Sequence, residues 1–247
     1  MTTEPDSRAA TNALLDGLRQ GRWRPRAWTR FLLDTTRRSI SQARLRPPAL
    51  GEITVLHLVF AAAGRRKRPV WTVASWVLAA THLGMLEDRR SLGAADIVTL
   101  TRANLPAISD GWAVPLVALA SDLADGRLAR GLGTASRFGA AADSLADAAF
   151  WAWYALHHEP SIRVRTAALA AWVAPVVAVA TASFGRGRMV DTPRPVLVRP
   201  AAAMQAVLTA RALLRWTRGY RSSRQTPQSR NRSGHSSGIP AIGEDVS

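Results

Sequence analysis

Four aspartates fall within 26 residues of strongly apolar sequence, and this placement constrains the fold more than any other feature. Asp122 and Asp125 are spaced i, i+3, whereas Asp143 and Asp147 are spaced i, i+4. On helices, each spacing points both carboxylates to one face. An unpaired carboxylate is costly in apolar surroundings, and four that converge from neighbouring helices repel one another unless a cation lies between them. The pattern therefore predicts two adjacent helices that share a bound cation.

The available ligand atoms indicate which cation would fit. The chain has no cysteine, and the stretch 122–147 has no histidine, so all candidate ligands are oxygens. Such a set favours Mg²⁺ or Mn²⁺ over Zn²⁺, and two ions held this way form a clamp for a pyrophosphate undergoing in-line displacement. A competing interpretation is that the aspartates only cap helices or line a polar seam. Membranes rarely tolerate four acidic groups without a function, which favours the metal site.

The positive charge of the chain is distributed in blocks between apolar segments. The 33 Lys+Arg residues against 17 Asp+Glu give a formal charge of +16, a balance compatible with nucleic acid, an anionic membrane or a polyanionic substrate. Arginine clusters that flank apolar segments are typical of membrane proteins whose cytoplasmic loops meet anionic lipid; they lie at 19–46, 65–68, 186–199 and 211–232. No nucleic-acid recognition module accompanies them, so we expect no nucleic-acid partner.

The apolar segments predict an all-α, polytopic membrane helix bundle of about six segments. Segments 69–86 and 162–184 are credible spans, whereas 49–63 and 201–214 are short for a full crossing. We divide the chain into a basic, partly amphipathic interfacial region, a transmembrane domain and a disordered basic tail; these regions comprise residues 1–48, 49–216 and 217–247. A solvated basic tail is an equally good interpretation of residues 19–46.

Charge bias predicts that the basic stretches at 64–68 and 185–199, the turn at 131–137 and the C-terminal tail are all cytoplasmic. A single crossing at 201–216 would put the tail on the opposite side of the membrane from 185–199, so these expectations conflict and the orientation stays open.

Two histidine-containing stretches are not interpreted as metal sites. We interpret His57 as a polar packing residue and H-H-E-P at 157–160 as an ordinary loop.

The stretch from 122 to 147 follows the pattern D-x2-D-G-x2-A-R-x8-G-x3-D-x3-D. It resembles the signature of the CDP-alcohol phosphatidyltransferase family, and every fixed position of that signature is filled. The T-L-T-R sequence at 99–102 is similar to the T-L-x-R near the nucleotide site of that family. Family members usually have a longer stretch between this element and the aspartates. Here only S-D-G at 109–111 separates them, so the first family helix is either shortened or fused to the next.

The resemblance implies that an alcohol attacks the β-phosphorus of a CDP-linked donor, usually CDP-diacylglycerol, with release of CMP. By that resemblance Asp122, Asp125 and Asp143 hold two Mg²⁺ or Mn²⁺ ions, and Asp147 is the general base that also shares a metal. The residues expected at the nucleotide or donor are Gly126, Ala129, Arg130, Gly139, Thr99 and Arg102. A helix-end threonine and a snorkelling arginine explain Thr99 and Arg102 equally well.

In the family, basic residues near the loop that here spans 185–200 help hold the phosphate of anionic acceptors, which points to Arg194 and Arg199. Positive-inside bias explains these two arginines equally well. The acceptor is thus a small alcohol or phospho-alcohol, and anionic membrane lipid is a further partner. The resemblance implies a multi-pass plasma-membrane enzyme of phospholipid biosynthesis, with its site facing the cytoplasm, in a family where homodimers are common. The alternative is a non-catalytic membrane protein of the same fold that binds nucleotide-lipid or anionic lipid.

Overall fold

The computed structural model describes residues 7–65, 67–87, 89–131, 136–190 and 195–224, without the side chains at 125, 126, 128–130, 195–198 and 219–224. All regular structure within these residues is helical. The α-helices in chain order are α1 (Ser7–Gln20), α2 (Pro25–Arg44), α3 (Pro47–Ala63), α4 (Pro69–Thr81), α5 (Ala94–Ile108), α6 (Val114–Gly131), α7 (Arg137–His158), α8 (Ile162–Arg186) and α9 (Pro195–Arg224). A 3₁₀ turn, Leu83–Leu86, follows α4. The predicted all-α class is confirmed.

Helix α8 is the described helix that is long and apolar enough to cross a membrane, while α3, α4 and the first part of α6 are shorter apolar helices. Large aliphatic side chains on these helices face outwards: Val59, Val73 and Val177 are all more than half exposed. Apolar outer faces around a packed interior are consistent with helices surrounded by lipid. The count of six apolar segments stays a prediction.

Helix α5 forms the centre of the bundle and packs against α3, α4, α6 and α7. It is a separate helix that ends at Ile108, so the first family helix is shortened rather than fused to the next. Its buried Asn104 donates to the Ser75 hydroxyl on α4 (2.9 Å), which also contacts His57 Nε2 on α3 (3.0 Å). His57 Nδ1 donates to the Ile53 carbonyl at 2.8 Å. This agrees with the interpretation of His57 as a polar packing residue.

A glycine allows close packing near each end of α5. A Cβ at Gly139, in the first turn of α7, would lie 2.8 Å from Asp96 Oδ1 on α5. The Asp96 carboxylate is itself fixed, because it accepts from the Gly93 N–H at 2.7 Å and lies 3.3 Å from Arg89 Nη2. At the other end of α5, a Cβ at Gly64 would collide with the Ala107 carbonyl. These two contacts fix how closely α7 and α3 approach α5.

The bundle has two ends, which we call the motif end and the far end. At the motif end α6 finishes at Gly131 and α7 begins at Arg137, and the far end contains the links at 109–113 and 159–161. The link at 64–68 lies at the far end, since Arg68 Nη2 is 2.7 Å from Asp110 Oδ1. The prediction that 64–68 lies on the same side as the aspartate motif is therefore wrong. Basic links occur at both ends, so charge bias alone does not assign the orientation.

Helix α1 packs against α8, and two aromatic side chains of α2 contact the end of α8 at the motif end. Phe184 of α8 contacts the rings of Trp23, Trp28 and Phe31, with centroids 5.7–6.4 Å apart. Met189 N–H donates to the Asn12 side chain at 2.7 Å. Residues 7–44 therefore form two helices that pack against the bundle, while the choice between a solvated region and one in contact with anionic lipid stays a prediction.

Helix α9 is longer than the sequence indicated. It runs from Pro195 to Arg224 and so extends past position 217, where the sequence placed the start of a disordered tail. The tail stays a prediction, since residues 225–247 lie outside the described part of the chain. Two arginines fix α9 at the far end by binding the buried carboxylate of Glu159. Arg211 donates twice, from Nε at 2.9 Å and Nη2 at 2.8 Å, and Arg215 donates from Nη1 at 3.0 Å.

Glu159 also accepts from the Ser161 N–H at 3.0 Å, and its side chain is fully buried. His157 and His158 form the end of α7, and only Glu159 and Pro160 belong to the link to α8, so the interpretation of 157–160 as a loop holds for its second half. Glu159 joins α9 to this link. Burial alone would raise the pKa of Glu159, but the hydrogen bonds from Arg211, Ser161 and Arg215 hold it at about 2.

Replacing Glu159 with Gln should lower the stability of the bundle by about 1–3 kcal/mol, because charged hydrogen bonds to two arginines are lost. Thermal unfolding in detergent measures this change. The matched control is Glu87→Gln, which alters a surface pair with Arg137 whose side chains are 45% and 51% exposed. We expect a change below about 0.5 kcal/mol there. Equal effects of the two substitutions would contradict the structural importance of the Glu159 contacts.

The contribution of Glu159 should also depend on pH in a defined direction. Its pKa is lowered from 4.5 to about 2 in the folded protein. The stabilisation is therefore complete above pH 4.5 and is lost as the pH falls towards 2. The difference in melting temperature between wild type and Glu159→Gln should shrink over this window. A difference that stays constant throughout it would show that the charge of Glu159 is not what stabilises α9.

Replacing Gly139 with Ala should destabilise the protein by about 1–3 kcal/mol, because the new methyl group overlaps a carboxylate that cannot easily move. Gly51→Ala on α3 is the control, since a Cβ there meets nothing within 4 Å. That substitution should be neutral or slightly stabilising. The two melting temperatures provide the comparison, and a Gly139→Ala variant as stable as Gly51→Ala would contradict the close approach of α7 to α5.

Candidate metal centre

Three of the four predicted carboxylates meet at the junction of α5, α6 and α7. Asp122 comes from α6, and Asp143 and Asp147 come from successive turns of α7. One oxygen from each lies within 4.8 Å of the others, the arrangement expected of a shared cation site. Their side chains are 28%, 42% and 12% exposed, respectively, so the cluster opens towards Asp143 and is closed behind Asp147.

The remaining positions of the signature on α6 are Asp125, Gly126, Ala129 and Arg130. Their backbone belongs to α6, but their side chains lie outside the described part of the structure. Their predicted roles in metal and donor binding stay predictions.

Arg102 of α5 lies among the three carboxylates, and its side chain has no exposed surface. Its Nε is 2.8 Å from Asp147 Oδ1, and its Nη1 is 3.5 Å from Asp122 Oδ1. Its Nη2 donates to Asp143 Oδ1. A snorkelling arginine would reach the bundle surface, so that interpretation of Arg102 is wrong. The guanidinium instead joins α5 to both helices that carry the carboxylates.

Thr99 and Gly139 lie on the elements expected to approach the donor. Thr99 is buried on α5, one turn before Arg102. Gly139 packs against Asp96, and its N–H donates to the Ser136 hydroxyl at 2.9 Å, which caps α7. The close packing of α7 against α5 is therefore enough to explain a glycine at 139. The predicted contact of Gly139 with the CDP-linked donor stays a prediction.

Sequence reasoning missed Gln205 of α9 as a site residue. Gln205 is buried, and its Nε2 donates to Asp147 Oδ2 at 3.4 Å. An amide inside the apolar segment 201–214 was the available signal, since polar side chains in such segments usually face the bundle interior. Gln205 thus contacts Oδ2 of the Asp147 carboxylate, and Arg102 contacts Oδ1.

Of the two arginines predicted at an acceptor phosphate, the structure describes one, and that one does not lie at the carboxylates. Arg194 lies outside the described residues. Arg199 is exposed on α9, whereas Ala201, Gln205 and Leu208 form the buried face of that helix. Positions 199 and 201 point about 200° apart on a helix, so Arg199 is on the outward side.

The donor set fits a hard divalent cation. All three described ligands are carboxylates, whose oxygens suit Mg²⁺ and Mn²⁺. Their exposure leaves room for water or a ligand oxygen to complete the coordination shell. The three carboxylates and Arg102 leave a formal charge of −2 (three negative, one positive), which a divalent ion would balance.

Comparison with known proteins agrees with this geometry. The family model of the CDP-alcohol phosphatidyltransferases matches residues 92–221, which is 130 of the 247 residues and includes every helix that contributes to the carboxylate cluster. No curated protein and no solved structure matches the chain. Because the match covers more than half of the chain, and because three of the signature aspartates converge, the protein belongs to the CDP-alcohol phosphatidyltransferase family.

Proposed function

We propose that this protein transfers a phosphatidyl group from CDP-diacylglycerol to an alcohol, with release of CMP, in a reaction that depends on Mg²⁺ or Mn²⁺. The observation that carries the proposal is the convergence of Asp122, Asp143 and Asp147, whose oxygens lie within 4.8 Å of one another at one end of an apolar bundle. Phosphatidyl transfer from a CDP-alcohol is the activity that membership of the family implies.

The carboxylates would hold the metal and leave one side of it open to the substrate. Asp122 and Asp143 are the more exposed of the three, which suits direct ligands of an ion that also meets the donor. When bound, two divalent ions neutralise the pyrophosphate and stabilise the departing CMP. The fourth signature aspartate, Asp125, would complete the set.

Asp147 would take the proton of the acceptor alcohol. The alcohol oxygen forms a bond to the β-phosphorus, the bond from that phosphorus to the bridging oxygen breaks, and the electron pair leaves with CMP. Arg102 and Gln205 contact one Asp147 oxygen each, at 2.8 and 3.4 Å, and so fix the orientation of the carboxylate. A carboxylate beside cations is a weak base, so its contribution would come mainly from positioning.

A lipid donor suits the surroundings of the cluster. An apolar cavity of about 200 Å³ lies between α4, α5 and α7, and its lining includes Trp71, Leu78, Phe138 and Ala146. Ala146 directly precedes Asp147, so apolar surface begins next to the carboxylates. A donor with acyl chains could keep them in apolar surroundings while its pyrophosphate reaches the metal.

The motif end should face the cytoplasm of a plasma-membrane protein. Support comes from α1 and α2, which lie at that end and contain many arginines that anionic lipid headgroups would attract. The acceptor would be a small alcohol or phospho-alcohol, with Arg199 available only to an acceptor that reaches the outer side of α9. The protein would form a homodimer, as members of the family often do.

The direct experiment is CMP release by the purified protein from CDP-diacylglycerol, with Mg²⁺ or Mn²⁺ and a panel of alcohols. We expect release with one acceptor, loss of release with chelator, and a fall of about 10²-fold or more in Asp143→Ala. Asp147→Asn should lower the rate by about 10²–10⁴-fold. Asp34→Asn, an exposed aspartate of α2, is the control and should retain full activity.

CMP release with the same panel of alcohols also distinguishes the transferase from the non-catalytic alternative. A folded protein that binds Mn²⁺ yet releases no CMP with any acceptor would contradict the transferase proposal. Release that survives Asp147→Asn unchanged would leave the transferase intact and remove Asp147 as the base.

A further inference from the structure

We infer that Arg102 is an internal counter-cation of the metal site: it holds the carboxylates together before a divalent ion binds, and it competes with that ion afterwards. The inference rests on the proposed metal site but goes beyond it, because the sequence resemblance assigned Arg102 to the nucleotide. The structure directs the guanidinium at three carboxylates instead, through Nε, Nη1 and Nη2.

The burial of Arg102 makes this arrangement a fixed feature of the fold. Its side chain is 0% exposed, so the N–H groups of the guanidinium are not solvated and depend on acceptors within the protein. A buried arginine is stable only when carboxylates or other acceptors satisfy its N–H groups. The contacts to Asp122 on α6 and Asp147 on α7 therefore hold α5 against both helices.

The three carboxylates in turn depend on Arg102 to reduce their mutual repulsion. Oxygens of Asp122, Asp143 and Asp147 lie within 4.8 Å of one another, where three like charges repel strongly in apolar surroundings. One guanidinium reduces the formal charge of the group from −3 to −2, which lessens the repulsion without abolishing the attraction for a divalent cation. The site can thus fold before it is loaded.

Competition follows from the shared carboxylates. Asp143 and Asp147 contact Arg102 and are also ligand candidates for the ion, so a bound cation and the guanidinium compete for the same negative charge. The guanidinium consequently weakens metal binding, and the protein gains a site that is stable when empty and releases its ion readily. Removing Arg102 should reverse both properties.

The first test is the thermal stability of the full-length protein in detergent, with chelator or with Mg²⁺ at equal ionic strength. Arg102→Gln should melt well below wild type in chelator, and Mg²⁺ should restore most of the loss, whereas wild type should respond little. The matched control is Arg211→Gln, which removes an arginine from Glu159 at the far end. It should be destabilised without any recovery in Mg²⁺.

The second test is the affinity for Mn²⁺, measured by electron paramagnetic resonance on the same proteins without substrate. Loss of a neighbouring positive charge should tighten Mn²⁺ binding by about tenfold or more in Arg102→Gln. If that variant does not fold even with Mg²⁺, Arg102→Met is measured instead; it also removes the charge, so it should likewise bind Mn²⁺ more tightly than wild type.

Two outcomes would overturn the inference: a stability of Arg102→Gln that Mg²⁺ changes no more than that of Arg211→Gln, or Mn²⁺ affinity in the measured Arg102 variant equal to or weaker than in wild type. Neither measurement needs catalysis. Failure of CMP release alongside the expected stability and affinity changes would therefore count against the transferase alone, and the converse pattern would count against Arg102 alone.

Discussion

The interaction on which the structure depends is the attraction between buried arginine and carboxylate groups inside an apolar bundle. A single charge in such surroundings is strongly unfavourable, and removing one partner of a buried pair is correspondingly damaging. Arg102 and the aspartates of α6 and α7 must therefore meet, and the helices must approach closely enough for them to do so. Gly139 permits that approach, because α7 begins directly against the Asp96 carboxylate of α5.

Both ends of the bundle contain buried contacts between arginines and carboxylates, but the ratio of positive to negative groups is opposite at the two ends. At the motif end one arginine faces three described aspartates, which leaves negative charge for a cation to balance. At the far end one fully buried glutamate is bound by two arginines, so its oxygens are already satisfied. The first arrangement is suited to binding and the second to holding α9 in place. Helix α9 links them, since Arg211 fixes one end while Gln205 reaches Asp147.

The sequence predicted some of these features and misjudged others for identifiable reasons. The spacing of Asp122, Asp143 and Asp147 predicted that their side chains would converge, because helical periodicity is local and their surroundings are apolar. The position of Arg102 was misjudged, since an arginine in an apolar helix can either snorkel or turn inwards, and only its neighbours decide. The link at 64–68 was assigned by its charge alone, whereas the alternating direction of the packed helices puts it at the far end.

By itself, the sequence determined the all-helical class, the family, and the three aspartates that come together. These follow from residue spacing along single helices and from a motif confined to 26 residues. The tertiary structure alone decided the partners of the buried charges: Arg102 for the aspartates, Gln205 for Asp147, and two arginines for Glu159. These partners are 20 to 58 positions apart in the chain, and no periodic pattern links them. Their contacts arise because each buried charge must find its complement when the helices pack.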